Sequence, residues 1–245
     1  GKVVEHQDAD IALAATGEGC KVIRPEPIPF VAHPYEWCFS QLKAAALLTL
    51  DLQEHALRFD LCLKDASAYN VQFNGCRPVF IDTLSFDVYQ EGKPWVAYGQ
   101  FCRHFLAPLL LMAKVDIALG KLLATHIDGI PVALASRLAP WTALLRPSLA
   151  MHIGLHGRSE RAAVSMRDER LNPGAQFGLN AMRGLVDSLR SAIESLRWNP
   201  TGTEWIDYYT DNNNYGDAAL REKESLVAAA LDRLQPQSVW DLGGN

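Results

Sequence analysis

Hydrophobic residues follow two different periods along this chain. Residues 34–59 (PYEWCFSQLKAAALLTLDLQEHALRF) are apolar at helical spacing on nearly every side, which predicts a helix buried in the core. The period then shortens, because residues 71–73 (VQF) and 79–81 (VFI) are typical of strands and flank Asn74 and Gly75, a strong β-hairpin signal. A buried helix, a loop and a hairpin are therefore expected in that order.

Helical spacing returns after the hairpin. The longest such region is residues 95–123, where Pro108 is expected to kink or split the helix because proline has no backbone N–H. The other predicted helices cover residues 132–145 (interrupted at Pro140), 149–156, 177–196 and 218–234.

Two polar or mixed regions separate these segments. Residues 1–32 predict strand and loop, with β-like runs at 21–23 and 28–31. Residues 158–176 are polar and predict an exposed loop, and the breakers and aromatic residues of 197–217 predict a boundary between two units. After the last helix, residues 238–242 predict a strand. Because the chain begins at Gly1 and stops inside a glycine-rich sequence, we expect it to be a piece of a longer protein.

Composition and charge narrow the class of protein. The chain has 245 residues, of which 49% are hydrophobic and 21% charged, with a formal net charge of -5. This balance gives no general attraction to nucleic acid or to anionic membranes, and the longest apolar stretch, residues 105–113, is too short to span a bilayer. Five cysteines without a CxxC pair favour a reducing cytoplasm.

Three oxygen-bearing side chains surround the predicted hairpin. A turn near Gly75 brings Asn70 and Asp82 together at the open end of the hairpin, and Asp65 lies in the loop that leads there. Such a set suits Mg²⁺, with Asn70 and Asp82 as metal ligands and Asp65 as the catalytic residue that accepts a hydroxyl proton. The alternative is that all three are ordinary turn residues, whose side chains bond their own backbone.

The order and spacing of Asp65, Asn70 and Asp82 resemble the catalytic loop and metal-binding segment of protein kinases and aminoglycoside-type phosphotransferases. The resemblance covers roughly residues 34–120, the lower lobe of that fold, and implies an Mg²⁺ and ATP site. The sequence departs from the pattern at residues 63–64 (LK) and 83–84 (TL), and no glycine-rich phosphate loop precedes them. An inactive kinase-like scaffold is therefore a further alternative.

The last seven residues, VWDLGGN, read as a strand that ends in an acidic residue and a glycine-rich turn. Together with PYEWCFSQLKAAALL, LKDASAYNVQFNGCRPVFIDTLSF and WVAYGQFCRHFLAPLLL, they resemble bacterial class I methyltransferases that use S-adenosylmethionine, some of them nodulation proteins. The resemblance covers most of residues 25–245. It implies that Asp241, Gly243 and Gly244 begin the cofactor site of a methyltransferase domain.

These observations predict an α/β (α+β), mostly helical fold. Residues 1–33 are expected to be a remnant of an upper lobe, residues 34–198 a kinase-like C-lobe with a β-hairpin, and residues 199–245 a linker, a helix and the first strand of a Rossmann-like methyltransferase domain. The predicted function is binding of a small-molecule or other acceptor, without methyl transfer by this fragment. The alternatives are an Mg²⁺- and ATP-dependent phosphotransferase and a scaffold without catalytic activity.

Overall fold

The computed structural model describes residues 1–10, 21–155, 178–199 and 215–239. The chain divides into two compact units, residues 1–198 and residues 199–245. Each unit is mainly helical in its described part, and the strands belong to the first. The expected mixture of helices and small sheets is confirmed.

The strands of the described residues form three separate antiparallel pairs. They are β1 (His6–Ala9) with β2 (Val22–Pro25), β3 (Leu61–Leu63) with β6 (Phe86–Val88), and β4 (Val71–Asn74) with β5 (Arg77–Phe80). The predicted hairpin is therefore present as β4 and β5. Its two turn residues are Gly75 and Cys76, one position further along than the predicted Asn74 and Gly75, because Asn74 still pairs with Arg77.

The first predicted helix is confirmed as α1 (Phe39–Ala56), with 3₁₀ turns at Pro34–Glu36 and Leu57–Phe59 on either side. The later helices of the first unit are α2 (Tyr98–Phe101), α3 (Ala107–Lys114), α4 (Val132–Leu138), α5 (Pro147–Leu149) and α6 (Leu179–Ser195). Two π-helical turns and two 3₁₀ helices join them: Cys102–Leu106, Ala150–Leu155, Ile117–Ala124 and Trp141–Leu145.

The hydrophobic core lies around α1, which contacts α3, α6 and β5. Ten of its eighteen residues are buried, on more than one side of the helix, as its apolar pattern predicts. Its largest fully buried partners include Leu63, Phe80, Phe101, Phe105 and Leu109. Because α1 also contacts β3 and the 3₁₀ turn Ala68–Asn70, the core lies against the segment that links β3 to the hairpin.

Two predictions about secondary structure are wrong. Residues 28–31 form no strand, and Phe30 is 77% exposed, because the prolines at 27 and 29 cannot donate to a strand partner. The helical region predicted for residues 95–123 begins only at Tyr98 and ends at Lys114, before a separate 3₁₀ helix. Pro108 lies in the second position of α3, directly after a π-helical turn, and no helix ends there.

The second unit contains α7 (Asp217–Leu234), which ends at Gln235 in the left-handed conformation. Lys223 lies 5.1 Å from the ring centre of Tyr215 within this unit. Residues 238 and 239 are not in a strand, and the rest of the predicted strand lies outside the described residues. Among the described helices, none combines the length and the apolar character needed to cross a bilayer.

Candidate functional site

The segment that carries Asp65 is fixed by side chains from α1 and from the residues just before α2. Leu63 donates its N–H to Gln53 Oε1 of α1 at 2.7 Å and accepts from Trp95 Nε1 at 2.7 Å through its carbonyl. Gln53 and Leu63 are both fully buried, so these bonds satisfy backbone groups that have no access to water. One residue later, Lys64 N–H donates to the Ser85 carbonyl at 2.8 Å.

Asp65 begins a tight, internally bonded loop. Its Oδ1 accepts from Ser67 N–H at 2.8 Å, and Ser67 Oγ accepts from Tyr69 N–H at 3.2 Å. Between them, Ala66 N–H donates to Gln100 Oε1 at 2.8 Å, which ties the loop to α2. Asp65 Oδ2 has no hydrogen bond within the described residues, so one carboxylate oxygen of this partly buried side chain can accept a proton from a ligand.

Asn70 and Asp82 lie close together, as the hairpin predicts, and a third residue links them. The Ser85 hydroxyl donates to Asp82 Oδ2 at 2.6 Å and accepts from Asn70 Nδ2 at 3.2 Å. Asp82 Oδ1 also caps a 3₁₀ turn by accepting from Leu84 N–H at 2.9 Å. The side chain of Asp65 is not part of this hydrogen-bonded group, although its loop leads directly into it.

The group offers few ligands for a metal ion. Among the described residues, no three His, Cys, Asp or Glu side chains are arranged to hold one. Asn70 Oδ1 has no hydrogen-bond donor within the same residues, and the Ser85 hydroxyl fixes the direction of its amide. Asn70 Oδ1 and the remaining lone pairs of Asp82 are oxygen ligands of the type that Mg²⁺ takes, and this ion keeps several waters and needs only one or two carboxylates.

A polar face continues from Gln100 along the helix to Arg103 and His104. These two residues lie in the π-helical turn Cys102–Leu106, where Ala107 N–H reaches back to the Cys102 carbonyl. The next N–H donor along the helix is missing because residue 108 is proline, so the Arg103 carbonyl has no donor within its own helix. It accepts from Ile130 N–H instead, at 2.9 Å.

This bond brings the loop of residues 125–130 against the π-helical turn. Gly129 has φ +87°, and a Cβ on it would lie 2.7 Å from the backbone carbon of Arg103. Only glycine fits this close approach without strain. The result is a cleft of about 490 Å³, lined by Gln100, Arg103, His104, Thr125, His126, Ile127, Asp128, Gly129 and Pro131.

His104 is the buried titratable group of this cleft. It is 3% exposed, and its Nδ1 has no hydrogen-bond partner among the described residues. Burial, with a contribution from Arg103, lowers the pKa of His104 to about 4. The imidazole is therefore neutral at pH 7, with the Tyr69 ring edge-on at 6.1 Å between ring centres. Burial also favours the neutral form of Tyr69, a residue of the Asp65 loop, and therefore raises the pKa of its hydroxyl.

Asp241, Gly243 and Gly244 are outside the described residues. His152 is buried and bonds Tyr98 Oη through Nδ1 at 2.7 Å and Ser188 Oγ through Nε2 at 3.0 Å. These two bonds link α2 to α6.

Sequence reasoning missed Ser85 and the polar helix face. The signal for the face was present, because Gln100, Arg103 and His104 are spaced three and four residues apart in an otherwise apolar helical segment. Ser85 follows Asp82 by three residues, which is a usual spacing for a capped turn, but its link to Asn70 depends on the folded hairpin.

The comparisons with known proteins give one named relative. The whole chain is similar to a nodulation protein. It is 34% identical over 252 residues to the nodulation protein NoeA of Rhizobium meliloti (strain 1021), and it spans 52% of the length of that relative. No protein-family model and no solved structure matches the chain. The similarity extends over the whole of this chain and about half of that relative.

Proposed function

We propose that this chain is the N-terminal, ligand-binding region of an S-adenosylmethionine-dependent methyltransferase, and that it transfers no methyl group by itself. The observation that carries the proposal is the fixed loop of residues 63–70. Gln53, Trp95 and Gln100 form hydrogen bonds with backbone groups of Leu63 and Ala66 in this loop. A loop held in this way keeps its side chains in place for a binding partner.

The similarity to NoeA supports the proposal that one part of the parent protein binds the acceptor and another part binds the cofactor. This chain corresponds to about half of NoeA. We assign the cofactor S-adenosylmethionine to a separate domain that begins at Asp241, Gly243 and Gly244, on the strength of their sequence motif. The kinase-like region would then bind the small molecule or other acceptor.

An Mg²⁺- and ATP-dependent phosphotransferase is the second candidate, and the Asn70–Ser85–Asp82 group favours it. Asn70 Oδ1 and Asp82 would hold Mg²⁺, which when bound neutralises phosphate charge. Asp65 Oδ2 would accept the proton of a substrate hydroxyl. The proposal that this region is kinase-like rests on this group and on the order of α1, the loop and the hairpin.

Thermal unfolding with each ligand separates the two candidates, because a ligand that binds only the folded state raises Tm. We expect S-adenosylmethionine to raise the Tm of the full-length protein and to leave the Tm of this chain unchanged. A shift for this chain alone would contradict the leading proposal.

Mg-ATP provides the second arm of the same experiment. We expect no shift of Tm with Mg-ATP for this chain. A shift that disappears in Asp82→Asn but persists in Asp87→Asn would favour the phosphotransferase. Asp87 is a matched control, because it is an exposed aspartate on the neighbouring strand β6 whose side chain also accepts a backbone N–H.

A further inference from the structure

The guanidinium of Arg103 is oriented by the protein and has unused donors. Its Nε donates to the Asp128 carbonyl at 3.3 Å, and the group lies along its own helix, with Nη1 3.6 Å from the position that a Cβ on Gly99 would take. Within the described residues, neither terminal nitrogen has a hydrogen-bond acceptor, and no carboxylate pairs with the side chain. A guanidinium held at Nε, with two unused terminal nitrogens, has the geometry that binds two oxygens at once.

The rest of the cleft offers mixed polar contacts around this group. Gln100 and Thr125 are uncharged, His126 is partly buried, and Ile127 and Pro131 add apolar surface. The volume of about 490 Å³ lies in the range of small-molecule sites.

We propose that this cleft binds a small ligand through a carboxylate group, which the two terminal nitrogens of Arg103 hold side by side. This site uses other side chains than the Asp65 loop, to which Gln100 and the Tyr69–His104 ring contact connect it. The inference therefore stands whether or not the proposed function is correct.

The charges near the cleft favour a carboxylate over a phosphate. Arg103 supplies one positive charge, and the carboxylates of Asp128 and Asp65 lie near enough to act on His104. A singly charged carboxylate balances the guanidinium. A doubly charged phosphate would leave an excess negative charge facing two aspartates, and the neutral imidazole of His104 does not offset it.

Titration of the isotopically labelled chain by NMR tests this inference. The probes are acetate, benzoate and inorganic phosphate, added at constant ionic strength at pH 7, and the signals followed are the backbone amides of Gly129 and Ile130. We expect saturable shifts with acetate and benzoate, with benzoate binding more tightly because it also covers apolar surface. We expect at least tenfold weaker binding of phosphate.

Three variants complete the test. Arg103→Gln should weaken carboxylate binding at least tenfold, and Arg103→Lys should weaken it less, because lysine keeps the charge but lacks the planar fork. Arg77→Gln, which changes an exposed arginine of the hairpin, should bind like the wild type. The Lys variant keeps the test valid if the Gln variant fails to fold.

Three outcomes would overturn the inference. They are an absence of saturable shifts in the wild type, equal or tighter binding of phosphate, and carboxylate binding that survives both Arg103 substitutions. Loss of Mg-ATP or S-adenosylmethionine binding would not affect it, because those ligands address other residues.

Discussion

His104 shows how a single residue in this fold acquires unusual chemistry from its surroundings. Its imidazole is buried beside the Arg103 guanidinium, and both effects disfavour the charged form. The charged groups that act on His104 include Arg103 and Asp128 of the cleft. From the loop before the hairpin, Asp65 acts on its charge and the Tyr69 ring contacts its imidazole. The sequence shows a histidine in an apolar helix, but it does not show which groups surround it.

The lowered pKa of His104 predicts a pH-dependent loss of stability. The unfolded chain binds a proton near pH 6.5 and the folded chain near pH 4, so the free energy of unfolding falls as the pH drops through this window. The full effect of this group is up to about 3 kcal/mol, reached below pH 4. Above pH 6.5 the imidazole of His104 is mostly neutral in the folded and the unfolded chain, so this loss of stability is absent.

Urea denaturation of wild type and His104→Asn at pH 7, 5.5 and 4.5 measures this effect. We expect the variant to lose less free energy of unfolding than the wild type between pH 7 and 4.5, because asparagine does not titrate. His55→Asn, at an exposed position of α1, serves as the control and should follow the wild type. Parallel pH profiles for wild type and His104→Asn would contradict the assignment.

The candidate site was partly predictable from residue types. Asn70 and Asp82 come together because a hairpin brings the residues at its open end together whatever its sequence. Ser85 was not predictable as their link, because its hydroxyl reaches both only after residues 82–85 turn under the hairpin. For the same reason, sequence alone could not show that Asp65 forms its own hydrogen bond to Ser67.

Among the elements, the π-helical turn before α3 has a specific physical cause. Pro108 removes one donor from the helix, and the Arg103 carbonyl finds a replacement in Ile130. The sequence analysis expected a kink or break at Pro108. The helical path instead continues into α3 through the π-helical turn, where Ala107 N–H bonds the Cys102 carbonyl five residues back and Ile130 N–H bonds the Arg103 carbonyl.

Gly129 should be essential for this contact between elements. We expect Gly129→Ala to lower the free energy of unfolding by about 1–3 kcal/mol, because alanine is strained at positive φ and its Cβ meets the Arg103 backbone. The matched control is Gly99→Ala, where a Cβ fits at ordinary contact distance and α-helical alanine can stabilise by up to about 1 kcal/mol. Chemical denaturation measures both, and equal stabilities of the two variants would contradict this account.

At the scale of the first unit, a charged network ties distant parts of the chain to α1. Asp51 pairs with Lys2 at 2.8 Å and with Arg190 of α6 at 2.6 Å, and Arg190 also reaches Glu54 at 3.2 Å. Burial alone would raise the pKa of Asp51, but hydrogen bonds from Lys2 and Arg190 hold it below its usual value. The network therefore contributes stability at neutral pH that is lost as Asp51 becomes protonated in acid.

Removing Arg190 should destabilise this unit more than removing a comparable surface arginine. We expect Arg190→Gln to cost about 1–2 kcal/mol of unfolding free energy, because two acidic partners lose their cation. Arg58→Gln breaks an exposed pair with Glu54 within one helical region and should cost at most about 0.5 kcal/mol.

Denaturation at 50 mM and 500 mM NaCl checks both the size and the origin of this effect. The difference between Arg190→Gln and wild type should shrink at high salt, since salt screens partly exposed charges. Identical costs for the two arginine variants, or a salt-independent cost for Arg190→Gln, would contradict a charge-based role.

The sequence by itself determined α1, the hairpin and the interruption at Pro140, because helix period, turn residues and proline act over a few neighbouring positions. Only the tertiary structure decided that β3 pairs with β6, that residues 28–31 are a loop, and that Arg103, His104 and residues 125–130 share a cleft. These outcomes depend on which distant backbone groups find partners. The pattern of neighbouring residues does not predict such pairings, because a free carbonyl or N–H can find its hydrogen-bond partner in any part of the folded chain.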